Sequence, residues 1–194
     1  MKNSTILPKR STIFTPRALI KAALLAITCT LLVVSGAYAA IVSYKISGEM
    51  PDYSSITSYV KYSLSPDGAW VVFSADKNVD NMNDIYSVPV RGREPLQLNE
   101  PMINGGTIEF FRITPDSQYV VSRGDQETDG KSELFRVPIG GGEQIKLTPE
   151  LVADGDVSSF LVMPDSSGVV YCADQDEDNV IELYSIPING GNAI

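Results

Sequence analysis

Ser65–Val90 reads SPDGAWVVFSADKNVDNMNDIYSVPV. Its opening Ser-Pro-Asp-Gly is a turn signal. Proline at the second position presets φ for a type I turn, and the aspartate after it bonds its own backbone. Trp70–Phe73 is a run of aromatic and β-branched side chains that suits a buried strand. An acidic loop follows. Asp84–Val90 then reads as the next strand, with Pro89 marking a strand end or an edge. Before the turn, Tyr62–Leu64 is a short strand; after it, beyond Gly92, Leu96–Leu98 alternates as a fourth.

The same text returns twice at a step of 49 residues. Pro66, Pro115 and Pro164 keep the step, as do Asp67, Asp116 and Asp165. So do Pro89, Pro138 and Pro187, and Gly92, Gly141 and Gly190. The units align without a gap from Tyr62, Phe111 and Phe160, a position expected in the core together with Trp70. Four short strands per unit of about 40–50 residues is the signature of a β-propeller blade, and blades stack because one alone cannot bury both faces. The density of Pro, Gly and β-branched residues argues against helical repeats. The expected fold is therefore all-β: a partial propeller of three four-stranded antiparallel blades, at about 54–102, 103–151 and 152–194. Ile194 falls on the step from Leu96 and Ile145, so the last blade is expected to be incomplete. Closed propellers use about four to eight blades. The missing blades are expected from a longer chain, of which this is a fragment, or from a second copy.

The pattern S-P-D-G-x-W-V-V-F-S-A-D…D-I-Y-S-V-P-V-x-G resembles the repeat of TolB-type, WD-like propellers, and Tyr171–Gly191, YCADQDEDNVIELYSIPINGG, is similar to it. The resemblance covers about residues 54–194. It implies an exported propeller; that repeat occurs in periplasmic Tol-system proteins and in propellers that precede peptidase domains. TolB itself carries an α/β domain ahead of its propeller, whereas only residues 40–53 stand between the N-terminal segment and the first unit here.

The N-terminus reads as an address. Residues 1–39 hold Lys2, Lys9, Arg10, Arg17 and Lys21 and no acid, and Ala22–Val42 carries no charge. Ala37-Tyr38-Ala39 is an A-x-A cleavage pattern, so residues 1–39 are expected to be a signal peptide cut after Ala39 or Ala40. The alternative is an uncleaved hydrophobic helix over residues 22–42 that anchors the chain to the inner membrane. Residues 40–53 are expected as a linker. Either reading places the body in the periplasm or outside the cell.

Composition excludes several chemistries. The chain has 194 residues and no histidine, so a Ser-His-Asp or Cys-His site cannot be assembled within it. Removing the five N-terminal bases from 15 Lys+Arg leaves 10 against 24 acids, a body balance of −14. That charge repels phosphate backbones and argues against a nucleic-acid partner. Cys29 and Cys172 lie in different segments, and no intrachain disulfide is expected. Gly140–Gly142 is read as a hairpin turn rather than a phosphate loop.

The acidic loop between second and third strands is the candidate for chemistry. The first unit offers Asp76, Asn78, Asp80 and Asp84, with Asn81 at the turn. The second offers Asp125, Glu127, Asp129 and Glu133, with Gly130 at the turn, and the third Asp174, Asp176, Asp178 and Glu182, with Asn179 there. Alternating oxygen ligands with a carboxylate at the ninth place suit a hard, flexible cation such as calcium. The pattern resembles the calcium hairpins of integrin-type propellers. It departs from an EF-hand, whose twelfth-place glutamate is replaced by Ser87, Arg136 and Ser185. The competing reading is that Asp, Asn and Gly only build exposed turns. No catalytic set is legible. The expected function is a non-catalytic binding or scaffold module that holds a protein or small ligand on its loop-bearing face. The alternative is the propeller portion of a longer, prolyl-oligopeptidase-like exported peptidase.

Overall fold

A computed structural model of the chain describes residues 43–52, 54–56 and 62–191. The expected signal or anchor segment, and Ile194, lie outside the described residues. Among the described residues no helix is long and apolar enough to cross a membrane.

The described residues are all-β. The first sheet contains β1 (Tyr62–Leu64), β2 (Trp70–Val79), β3 (Met82–Pro89) and β4 (Leu96–Gln97) in chain order. The second contains β5 (Ile108–Ile113), β6 (Tyr119–Gly124), β7 (Glu133–Pro138) and β8 (Ile145–Lys146). The third contains β9 (Val157–Val162), β10 (Gly168–Ala173) and β11 (Glu182–Pro187). Every pairing is antiparallel. The long strands β3, β7 and β11 end on Pro89, Pro138 and Pro187, which cannot donate to a continuing ladder.

The backbone keeps the 49-residue step. The Pro-Asp turns close with bonds from Gly68, Ser117 and Ser166 N–H to Ser65, Thr114 and Met163 carbonyls. All three donors are left-handed, with φ of 70°, 61° and 61°. That conformation suits glycine but costs serine about 1–2 kcal/mol. The serines gain a bond in return. The Ser117 hydroxyl accepts the Asp67 N–H of the preceding sheet at 3.1 Å, and the Ser166 hydroxyl accepts the Asp116 N–H at 3.0 Å. Two turns are thus stitched across sheets by one repeated side chain.

Alternation along the strands gives each sheet two apolar faces. Val72 and Ile85 of the first sheet pack against Ile108, Phe111, Val120 and Val137 of the second. Val121 and Leu134 of the second pack against Val157, Phe160, Val169 and Tyr171 of the third. Trp70 is half-buried beside the first of these cores and lies over Gly140. Phe111 and Phe160 are buried as expected, but Tyr62, at the same repeated position, is 70% exposed. Its side chain is on the face of the first sheet turned away from the second.

The strand residues of that outer face are covered differently. Phe73, Ala75, Tyr86 and Val88 are buried, with Ile46 and Met50 packed against them. Lys77 Nζ donates to the Ser47 carbonyl at 3.0 Å and lies 5.1 Å from the Tyr86 ring centroid. The segment around residues 46–50, expected as part of a linker, is therefore a strap on the first sheet.

Candidate functional site

The acidic loops divide by position rather than gathering around one point. The first acid of each loop closes it. Asp76 accepts the Ser55 and Asn81 N–H groups at 2.8 and 3.4 Å. Asp125 accepts those of Thr107 and Gly130 at 2.7 and 3.2 Å. Asp174 accepts those of Asp156 and Asn179 at 2.6 and 3.2 Å. Each carboxylate thus ties the loop to the chain entering the sheet. The Asp156 N–H holds the Asp174 carboxyl below its ordinary value, outweighing partial burial. The left-handed turn residues fall where expected, at Asn81, Gly130 and Asn179.

The fifth-place acids Asp80, Asp129 and Asp178 are exposed. The third and ninth places work as a pair, which in the first two sheets reaches toward the fourth strand. In the first sheet Asp84 is buried and accepts four donors: Gln97 Nε2 at 3.1 Å, Asn99 Nδ2 at 2.8 Å, Asn78 Nδ2 at 2.9 Å and the Tyr86 hydroxyl at 3.3 Å. Burial and the Asp84 charge hold the Tyr86 phenol well above its ordinary pKa. In the second sheet Lys146 Nζ lies 2.6 Å from Glu133 Oε1 and 3.1 Å from Glu127 Oε2. Burial lowers the Lys146 pKa, but the two carboxylates outweigh it and the net shift is upward. In the third sheet the Tyr184 hydroxyl lies 3.0 Å from Glu182 Oε2 and 3.2 Å from Asp176 Oδ2.

Among the described residues no three Asp, Glu, Cys or His side chains come together in a geometry that would hold a metal ion. The first-place acids Asp76, Asp125 and Asp174 close turns, and Asp84 and Glu133 bond side chains of the fourth strand. Sequence reading missed the partners, Gln97 and Lys146. The available signal was that both donors stand 49 residues apart on the short fourth strands.

A second site lies on the leading strands β1, β5 and β9. One groove runs between Tyr62, Ser63 and Leu64 on one side and Phe111, Arg112 and Ile113 on the other. The next is lined by Glu109, Phe110, Arg112, Arg123, Ser158 and Ser159. Arg112 lines both. Arg123 is committed to the fold: it pairs with Glu109 and donates to the Val157 and Ser158 carbonyls. Arg112 is exposed and forms no ion pair among the described residues; its guanidinium lies 4.5 Å from the Phe110 ring centroid. An unpaired guanidinium over an aromatic face keeps its planar fork of donors for a carboxylate or phosphate.

Solved structures with the same arrangement include TolB from Acinetobacter baumannii, at 21% identity and a TM-score of 0.50. The fold is that of a TolB-like β-propeller. The TolB match covers 71% of this chain and 33% of that one. A candidate dipeptidyl aminopeptidase IV from Bacteroides ovatus matches at a TM-score of 0.56 and 16% identity, over 76% of this chain and 23% of that one. An oligogalacturonate lyase solved in complex with manganese matches at 0.50 and 18% identity, over 74% of this chain and 38% of that one. The chain thus spans about a quarter to two fifths of these TolB-like and enzymatic propellers. No protein-family model matches the sequence, and no curated protein matches it. Because enzymes share this propeller fold, the fold by itself does not divide binding from catalysis.

Proposed function

We propose that the chain is the binding part of an exported propeller protein, each sheet forming one blade, and that it holds an acidic ligand along the grooves of β1, β5 and β9. The observation that carries this is Arg112: a cation with no ion pair among the described residues, in a body of net charge −14, at the shared wall of both grooves. The groove hydroxyls of Ser63, Ser158 and Ser159 have no histidine to activate them, since the chain contains none. That favours binding over acyl-transfer chemistry within this chain. The signal-like N-terminus and the TolB-like fold support a periplasmic or secreted location.

The test is calorimetric titration of the chain with a hexaglutamate peptide. Arg112→Glu is expected to weaken binding by about ten-fold or more, the scale of a lost charge-assisted pair. Binding that ignores Arg112, or no binding to the unaltered chain, refutes the acidic-ligand reading.

A second reading, the propeller portion of a longer exported peptidase, is favoured by the match to the candidate dipeptidyl aminopeptidase. It requires a G-x-S-x-G elbow with Asp and His encoded beyond residue 194, which the coding DNA would show.

A further inference from the structure

The strap on the first sheet repeats the trailing end of a blade. Tyr44-Lys45-Ile46-Ser47 has the order of the fourth strands and the residue after them, Leu96-Gln97-Leu98-Asn99 and Ile145-Lys146-Leu147-Thr148. That order is apolar, side-chain donor, Ile or Leu, then Ser, Asn or Thr. Four residues after Ile46, Leu98 and Leu147 stand Met50, Met102 and Leu151. The second and third copies keep the 49-residue step; the first stands three residues further back, the extra residues falling between Ser55 and Tyr62.

The three copies also fold alike. Ile46 and Met50 pack on the outer core of the first sheet. Leu98 and Met102 do so in the core between the first and second sheets, and Leu147 and Leu151 in the core between the second and third. The Ser54 N–H donates to the Pro51 carbonyl at 2.9 Å, as Gly106 does to Ile103 at 3.1 Å and Gly155 to Val152 at 3.0 Å. The Ser55 N–H then meets Asp76 Oδ1 at 2.8 Å, the counterpart of Thr107 on Asp125 and of Asp156 on Asp174. One bond departs from the pattern. The Ile103 and Val152 N–H groups donate to the Gln126 and Gln175 carbonyls, and Pro51 has no N–H to do so.

Among the described residues this copy has no third strand beside it. The other two are held by a fixed set of bonds. The Leu98 and Leu147 N–H groups donate to the Ile85 and Leu134 carbonyls at 2.8 and 2.7 Å. Asn99 Oδ1 and Thr148 Oγ1 accept the Ile85 and Leu134 N–H groups at 2.8 and 3.3 Å. The third- and ninth-place side chains form a clasp for the donor: Asn78 and Asp84, with one charge, hold the amide Gln97, and Glu127 and Glu133, with two, hold the cation Lys146. Lys45 matches Lys146, so its clasp needs two carboxylates. Residues 1–43 contain no Asp or Glu and cannot supply one, and the first two sheets hold their own fourth strands. Tyr44 and Lys45 are exposed.

We infer that Tyr44–Ser47 is the fourth strand of a further blade of this repeat, outside the three sheets of this chain, and docks antiparallel on a third strand that carries a two-carboxylate clasp. The Ile46 N–H and the Ser47 hydroxyl supply the ladder bonds, and Lys45 selects the clasp.

The probe is a labelled peptide with the sequence of Tyr119–Ile139, which contains β6, β7 and the Glu127–Glu133 clasp. Titrated into the full chain, it is expected to bind saturably and to slow amide exchange at Ile46, with Lys45 opposite Phe135 of the peptide as Lys146 is in the second sheet. Lys45→Glu in the protein should weaken binding about ten-fold or more, and Glu133→Lys in the peptide should recover it. No saturable binding, equal binding to the Lys45→Glu protein, or protection confined to other segments overturns the inference. So does slow exchange at Ile46 before peptide is added, which would mean that this chain or a second copy already holds the strand.

Discussion

The second and third sheets are nearly the same text in different surroundings. The second has a neighbouring sheet on each face, the third on one face among the described residues. Leu134 and Leu183 stand 49 residues apart at the same register, facing the same way; one is 0% exposed and the other 70%. Glu133 is buried against Lys146, whereas Glu182 is exposed beside a tyrosine. The repeat copies the residue but not its solvent. What a repeated side chain contributes is therefore set by the sheet beside it, as nearest-neighbour stability in stacked repeats requires.

The sharpest way to break that comparison is a pair of truncations. Leu134→Ala removes a fully buried side chain and should cost about 3 kcal/mol in urea unfolding. Leu183→Ala should stay within about 0.5 kcal/mol. Similar costs would mean that the third sheet is covered in solution.

A smaller contrast separates the two clasps. Lys146→Met leaves the Glu133 carboxylate, at 2% side-chain exposure, without its cation. The expected loss is about 2–3 kcal/mol, because Lys146 itself stays partly solvated and the pair is not fully buried. Glu182→Gln, in the open clasp, should cost less than about 0.5 kcal/mol. Losses in the opposite order would refute the assignment of the β8 lysine as a structural clasp.

The smallest effect concerns pH and the Pro-Asp turns. Burial raises the Asp116 carboxyl, but the Thr114 hydroxyl and the Gln118 N–H outweigh it, so its pKa lies below the ordinary 3.8. Asp165 is lowered by Ser167, and Asp67 by Ser65. A lowered folded pKa contributes stability that is complete above the unfolded value and is lost as pH falls through the folded one. Thermal melts should therefore drop below about pH 4, with Asp116→Asn flattening that acid limb by under about 1 kcal/mol after solvent screening. An unchanged acid limb would mean that the turn hydroxyl is no better a partner than water.

Much of the fold was legible because it is local. Proline fixes φ at Pro66, Pro115 and Pro164, and aspartate folds back on the N–H two residues on; both act within a few residues. The strand cores and the prolines that end them follow the same logic. Less of the candidate site was legible. The nine-residue acidic pattern gave Asp76, Asp125 and Asp174 and the turn residues after them, but not the use made of each acid. Asp84 and Glu133 face side chains on the fourth strand, 13 residues further on, which spacing within the loop cannot reveal. Nothing in the sequence around Arg112 marks it out; the fold sets Phe110 and two grooves beside it.

The sequence by itself determined the 49-residue step, the strand-forming segments and the turns between them, because these depend on backbone preferences of neighbouring residues. The tertiary structure alone decided which repeated positions are buried. Tyr62 is exposed while Phe111 and Phe160 are core, and the strap with Ile46 and Met50 covers a face that the repeat pattern assigns to another sheet. Burial is a property of what lies across the interface, and a residue's own neighbours in sequence do not encode it.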